Sequence, residues 1–395
     1  MTLLKAKTIR LALAMLVLAA ASVCVLPAQQ LIVTAPDKTQ RAQEILELPL
    51  AQARKHVPGI EHKIAVNAAT HETLTTQIYS GPSGSEHDML LIAIQMPADG
   101  KLTIAFVDKG SAPQEPQVFG REAPERKDDF AWENKYVTYR VYGPALEATG
   151  EITSGIDVWS KRVPNFVIDS FYKHDAEGQR THNPKLSYHV DDGVGLDSYL
   201  VGPSRGCGGT GVLSGGKLWV SKNYTHLTML SSGPVRFAFE LTYAPWNADG
   251  VEVTETKRIV LDAGTHLNRI TSTFTYAGGM VLNTAVGLPI REGGAYHPLD
   301  GRILSVWSIP QNPTAGHIAT GVIASPTQPS SITQLDDQAL MVYSVHSGES
   351  FTYYAGSGWS KADMPSQQDW DHYLSQVAYE LAHPLKLAWQ DNLAR

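Results

Sequence analysis

Two short segments hold most of the residues whose types could do chemistry. The first, Asp128–Arg140 (DDFAWENKYVTYR), brings together Asp129, Trp132, Glu133, Asn134 and Arg140. The tryptophan offers a flat apolar face for a sugar ring, and the carboxylates and amide offer partners for hydroxyls. Arg140 can clamp a carboxylate through two parallel hydrogen bonds. The structural alternative is a charged strand entry in which Arg140 pairs with Glu133. The second segment, Tyr188–Gly209 (YHVDDGVGLDSYLVGPSRGCGG), supplies His189, the residue type best suited by its unperturbed pKa to moving a proton at physiological pH. Tyr188 and Tyr199 offer a second proton-transfer group, and Arg205 an electrostatic anchor. A turn histidine bonded to backbone is the bland alternative for His189. Asp191 and Asp192 could hold calcium through carboxylates and loop carbonyls, or could simply be a solvated acidic turn. Trp159, His226 and Glu240 stand behind these as further binding candidates. We read the two segments as the halves of one saccharide-binding cleft.

The elements that must position them are mostly strands. Alternation predicts strands at Tyr136–Tyr142, Val163–Tyr172, Lys217–Lys222, Val235–Tyr243, Glu252–Leu261 and Asn268–Tyr276. More follow at Gly316–Ala324, Ala339–Val345 and Ser350–Ala355, joined by Gly- and Asn-rich turns of antiparallel type. Asp88–Pro97 and the LTIAFVD run after an Ala-Asp-Gly turn read as a hairpin. Gly110–Pro124, rich in Pro, Gln and Glu, reads as a linker. One helix is expected near the C-terminus, where Ser366 and Asp369 form a capping-box-like start before a Trp370, Tyr373, Leu374, Val377, Leu381 stripe. The pattern is mainly β, a large sandwich or barrel at 116–395 after a smaller β-sandwich-like domain at 29–115.

Several chemistries are excluded. Gly206–Gly211 fits GxGxxG and Gly211–Lys217 fits most of a phosphate loop, but a strand, not a helix, is expected to follow. The chain has no GxSxG, HExxH or CxxC motif, and its histidines lack zinc-ligand spacing. A net charge of −7 without a basic run argues against nucleic acid. Lys5, Lys7 and Arg10 precede an apolar run to Leu26, a secretory signal cleaved near Ala28. That run is short of the roughly 20 residues of a membrane span; a lipid anchor at Cys24 is the alternative, although Val23 precedes it. Cleavage would leave Cys207 as the sole cysteine of a periplasmic or secreted protein without a disulfide.

The runs FGREAPERKDDFAWENKYVTYRVYGPAL, GIDVWSKRVPNFVIDSFYK, YHVDDGVGLDSYLVGPSRGCGG, VLDAGTHLNRIT and FTYYAGSGWSK resemble a family of secreted bacterial proteins long carried as a domain of unknown function. The likeness spans about Leu46 to Leu387. It implies a galactose-mutarotase-like antiparallel β-supersandwich, found alongside enzymes that depolymerise uronate-containing polysaccharides such as pectin and ulvan. Lys135 departs from the family, which has an acidic residue there, so a metal or substrate role does not carry over to that position. The expected ligand is an oligosaccharide bearing a uronate. The expected reaction is proton abstraction by His189, as a lyase or epimerase, with no cofactor beyond the calcium that Asp191 and Asp192 could take. Two alternatives stand: glycoside hydrolysis by carboxylates drawn from Glu133, Asp191, Asp192 and Glu240, and a saccharide-binding protein without catalysis. The residues leave the oligomeric state open.

Overall fold

Side-chain alternation sorts one strand, Met89–Met96, between two cores. Leu90, Ile92, Ile94 and Met96 point into an N-terminal core, whereas Leu91 and Ala93 join the main one. A period of two makes such sharing possible, since successive side chains leave opposite faces of the sheet. This computed structural model describes residues 29–38, 40–81, 88–108, 114–291, 293–310 and 312–390. The signal expected at residues 1–28 lies outside them.

Every pairing between named strands is antiparallel. Met89–Met96 sits between Arg41–Pro49 and Thr76–Tyr79. A facing sheet runs Lys386–Gln390, Gln30–Thr34, Lys101–Asp108, Lys63–Asn67, so the C-terminal strand closes a sheet begun at the other end of the chain. The expected hairpin is therefore corrected: both strands exist, but Met89–Met96 and Lys101–Asp108 belong to different sheets. Turn chemistry between them was read rightly as a turn, while the buried faces decided the partners.

The main body is a nine-stranded sheet and two five-stranded sheets around one large core. The first five-stranded sheet runs Gly195–Leu196, Asp157–Lys161, Val137–Val141, Asp129–Asn134, Val118–Ala123. Its last strand occupies part of the stretch read as a linker, a second correction. A third concerns Val163–Tyr172, read as a strand. A helix, Ile168–Thr181, stands there and covers the sheet's outer face with Val167, Ile168, Phe171 and Tyr172.

The glycines of the SRGCGG run serve close packing. Gly206, at a φ of +56°, lies so near the backbone of Ile156 that a Cβ would sit 2.2 Å from its carbonyl oxygen. Gly209–Ser214 then continues as a strand, as the exclusion of a nucleotide loop required. Gln367–Ala382 forms the expected C-terminal helix, and Ser366 Oγ accepts from the Asp369 N–H at 3.2 Å. Its Trp370 is wholly buried against the nine-stranded sheet and donates from Nε1 to the Thr320 carbonyl at 3.2 Å. Among the described residues no helix is long and apolar enough to cross a membrane.

Trp370→Ala should cost about 3–5 kcal/mol, since the helix cannot collapse into so large a void. Urea unfolding followed by circular dichroism will show it as a lowered midpoint with an unchanged slope; a midpoint within error of wild type would mean the helix contributes little to the fold.

Candidate functional site

The same alternation decides which chemistry-bearing residues meet. In Asp129–Asn134, Phe130 and Trp132 face the main core, while Ala131 faces the cover helix with Asp129 and Glu133 on its side. In Val137–Val141 the inward residues are Val137, Tyr139 and Val141, leaving Thr138 and Arg140 outward. In Asp157–Lys161, Val158 is inward, and Asp157, Trp159 and Lys161 are outward. Arg140 lies directly opposite Asp157 on the neighbouring strand. Two ionic clusters result on one covered face.

The first cluster is an anchor. Glu133 takes a charge-assisted bond from Lys161 Nζ at 2.6 Å, and both side chains are fully buried. Its other oxygen accepts the N–H groups of Val167 and Ile168 at 2.8 and 2.9 Å, at the start of the Ile168–Thr181 helix. A carboxylate belongs there, where unpaired N–H groups and the helix dipole converge. Burial draws the Lys161 pKa down, with Glu133 acting against it.

The second cluster surrounds Arg140. Its Nε donates to Asp157 Oδ2 at 2.9 Å and its Nη2 to Asp197 Oδ2 at 3.0 Å and to Tyr142 Oη at 3.0 Å. Nη1 lies 3.5 Å from Asp129 Oδ2. Trp159 and Tyr188 stack on each other, and the guanidinium sits over both rings. Three carboxylates thus share one buried cation. Burial first, then the neighbouring Asp157, pushes Asp197 up to about 8. Burial likewise raises Asp129 to about 6, against the pull of Arg140 and Arg126. Burial and the adjacent Asp157 thus favour the protonated form of the Asp197 carboxyl, the form that can donate a hydrogen bond or a proton.

Above this cluster opens a cleft of about 740 Å³, whose lining includes Arg126, Arg140, Tyr142, Tyr188, Asp197 and Tyr199. His189 stands at its rim, with a side chain 61% exposed. Its Nδ1 lies 2.8 Å from the Asp197 carbonyl oxygen. A carbonyl can only accept, so Nδ1 carries the hydrogen, and the neutral ring presents its lone pair at Nε2. The arrangement places an imidazole at the rim and a carboxyl with a raised pKa on the floor of one cleft.

Of the residues singled out from the sequence, Arg140, Tyr188, His189 and Tyr199 meet in this cleft, and Asp129 lies beneath it. The others require correction as substrate contacts. Trp132 is fully buried and donates to Asn268 Oδ1 at 2.8 Å; Asn134 donates to the Asp262 and Thr265 carbonyls. Glu133 is spent on the anchor, and Trp159 is buried beneath Arg140. Arg140 itself cannot clamp a ligand carboxylate, because aspartates already hold its fork. Arg205 is buried, donating to Ser154 Oγ and the Thr210 and Pro203 carbonyls, and burial lowers its pKa to about 10. His226 and Glu240 lie on adjacent strands of the nine-stranded sheet, where Glu240 meets Arg258 at 3.3 Å. Asp191 pairs with Arg162 and lies 3.7 Å from Lys361, and Asp192 accepts the Val194 N–H, so both fasten a turn. Among the described residues no group of three or more His, Cys, Asp or Glu could hold a metal ion. Asp157, Asp197 and Arg126 were missed. Asp157 could have been found by setting the DVWSK strand antiparallel to YVTYRV and asking what opposes a buried arginine; Asp197 lies outside that pairing, after the short strand beside Ser160 and Lys161.

Fold and site together define an antiparallel β-sandwich protein with an arginine-centred aspartate cluster under an open cleft. The chain belongs to the family described as domain of unknown function DUF4861, whose model matches residues 33–387. It is 27% identical over 368 residues to uncharacterized protein P7 of Formosa agariphila, covering 89% of this chain and 90% of that one. Among solved structures it is similar to an alpha-mannosidase of Enterococcus faecalis, at 8% identity and a TM-score of 0.47. A glycosyl hydrolase family 38 protein of the same organism gives 8% and 0.45. Each likeness covers 92% of this chain but only 46% and 47% of the other, so the chain spans about half the length of these solved proteins. TM-scores this low carry no weight for the chemistry.

A carboxyl whose folded pKa is raised contributes stability that is full below its unfolded value, about 3.9, and is lost as pH rises through the folded one. Asp197 should therefore make the protein less stable between about pH 4 and about pH 8. Asp197→Asn, which mimics the neutral acid, should flatten that decline. Denaturation midpoints at about pH 5 and about pH 9 will test this, and parallel declines in the two proteins would refute the assignment of a retained proton.

Proposed function

We propose that this protein is an exported enzyme that binds an oligosaccharide in the cleft and acts on it by proton abstraction. The observation that carries the reading is His189, held through Nδ1 on the Asp197 carbonyl with Nε2 left as acceptor at the rim. On a uronate, His189 Nε2 would take the hydrogen on the carbon beside the carboxylate. The C–H electrons would form the new C=C bond as the neighbouring C–O bond breaks. The leaving oxygen would receive a proton from the neutral Asp197 carboxyl, and no water would be consumed. A second proton delivered to the opposite face of the same carbon would instead give epimerisation.

Substrate charge would be met at the rim. Arg126 lines the cleft and is 31% exposed, so although it pairs with Asp129 and Glu151 it remains reachable from the cleft where Arg140 is enclosed. Tyr142, Tyr188 and Tyr199 supply aromatic edges to the lining, while the Tyr142 and Tyr188 hydroxyls are turned to Arg140 and that of Tyr199 is buried. Glycoside hydrolysis remains a second reading, favoured by one feature: burial raises the Asp197 pKa, as a general acid requires. The carboxylates first considered for it do not serve, since Glu133, Asp191, Asp192 and Glu240 are engaged in separate ion pairs and turns.

The test is incubation with saturated and unsaturated oligosaccharides of pectin, ulvan, alginate and glucuronan, followed by ultraviolet absorbance and mass spectrometry. New conjugated absorbance without added water is the expected outcome, and His189→Ala should slow it by about 10²–10⁴-fold while leaving binding within a few-fold. Gain of water would mean hydrolysis, and changed retention at constant mass epimerisation. Saccharides that stabilise the protein but stay intact would make it a binding protein.

A further inference from the structure

A second depression, of about 530 Å³, adjoins the cleft. Both are lined by Arg126, Tyr188 and His189, so these three side chains form the ridge between them. The far side is built by the end of the Ile168–Thr181 helix and the turn that follows, through Gln179, His182, Asn183 and Ser187. His182 ends the helix in the left-handed region, at a φ of 56°, and so turns the chain to make that wall. Gln179 is tethered to Asp175 at 2.6 Å, and the Asn183 side chain accepts from the Lys185 N–H at 3.2 Å. Amides, an imidazole and a hydroxyl are the groups with which sugar hydroxyls pair.

A site that trims chain ends needs a wall on one side of the reacting bond. The His189 ring has instead a depression on either side. We propose that the two depressions form one groove that holds a saccharide chain on both sides of His189, so that reaction falls on an internal linkage. Arg126, on the ridge, is the cation beside the reacting unit and the residue that reads its carboxylate. It is partly exposed and pairs with the exposed Glu151 at 2.9 Å and through Nε with Asp129 at 3.3 Å, so a ligand carboxylate would compete with Glu151 for its outer edge, whereas Arg140 is closed in by its aspartates. This rests on the assignment of the cleft to a saccharide and adds which part of the polymer it takes.

The test uses the full chain with oligogalacturonides and oligoglucuronans from disaccharide to octasaccharide. Calorimetric titration of His189→Ala, which should keep the ligand intact, gives affinity against length; size analysis of polymer treated with wild type gives the cutting pattern. Affinity should rise with length to at least about tenfold for the longest members, and early products should be mid-sized fragments. Adding Gln179→Ala and His182→Gly should remove that gain from the long members. Both positions are exposed, and glycine suits the left-handed backbone at 182, so the fold should persist. Affinity independent of length, or early release of terminal units alone, would overturn the groove while leaving the saccharide reading intact. Length-dependent binding without turnover by wild type would keep the groove and overturn proton abstraction. Failure of every saccharide to bind would overturn both.

Discussion

The buried guanidinium of Arg140 is the interaction on which the site depends. It faces Asp129, Asp157 and Asp197 in a space closed by tryptophan and tyrosine rings. At an effective dielectric near 20, two unit charges at about 4 Å interact by about 4 kcal/mol. Arg140 offsets one carboxylate at that scale, and the half-buried Arg126, 3.3 Å from Asp129, offsets part of a second. With three ionised, the repulsions among them would grow as fast as the attractions, and each would still carry its desolvation cost. Retaining a proton on Asp197 relieves both. The upward shift of Asp197 follows from charge balance in a dry place.

Strand register supplies the cluster. Arg140 and Asp157 are direct partners, Ala131 lies opposite Arg140 on its other side, and Asp129 stands two residues from Ala131 on the same face. Asp197 follows the short strand that pairs with Lys161 and Ser160. A slip of one residue in either pairing would send Arg140 into the apolar core. The Glu133–Lys161 pair guards against such a slip, because it ties the same face to the helix that covers it. Position of the cover helix and charge of the cleft are thus set by neighbouring pairs on one surface.

Much of this was legible in the residues. The alternation in DFAWEN and YVTYRV separates inward aromatics from outward charges, while in DVWSK Trp159 shares the outward face with Asp157 and Lys161, and most strands of the nine-stranded sheet lie where alternation puts them. What was missed was non-local. The Ile168–Thr181 helix has no side-chain cap of its own at Val167; the carboxylate that meets its first N–H groups comes from Glu133, far upstream. Without a local start signal, Val163–Tyr172 read as a strand, and with no helix above it the sheet face seemed open to solvent. Trp132, Glu133 and Arg140 were then grouped as one binding strip, although period-two geometry places the tryptophan on the opposite face from the other two.

The loop from Tyr188 to Asp197 shows how a turn histidine bonded to backbone can also be the proton-transfer group proposed for the cleft. The Asp197 N–H donates to the Tyr188 carbonyl at 2.8 Å, and the His189 ring donates to the Asp197 carbonyl at 2.8 Å. These two bonds pinch the loop at its base, so the acid and the base are delivered by one closed segment. Its tip is held elsewhere: Asp191 pairs with Arg162, whose guanidinium lies over Trp359 at 4.4 Å, and the Arg162 N–H donates to the Val194 carbonyl at 3.0 Å. The bond that looks merely structural is what fixes the tautomer, since a ring nitrogen committed to a carbonyl cannot serve as acceptor. A surface histidine without that commitment would divide its proton between both nitrogens, and only part of the population would present a base to the cleft.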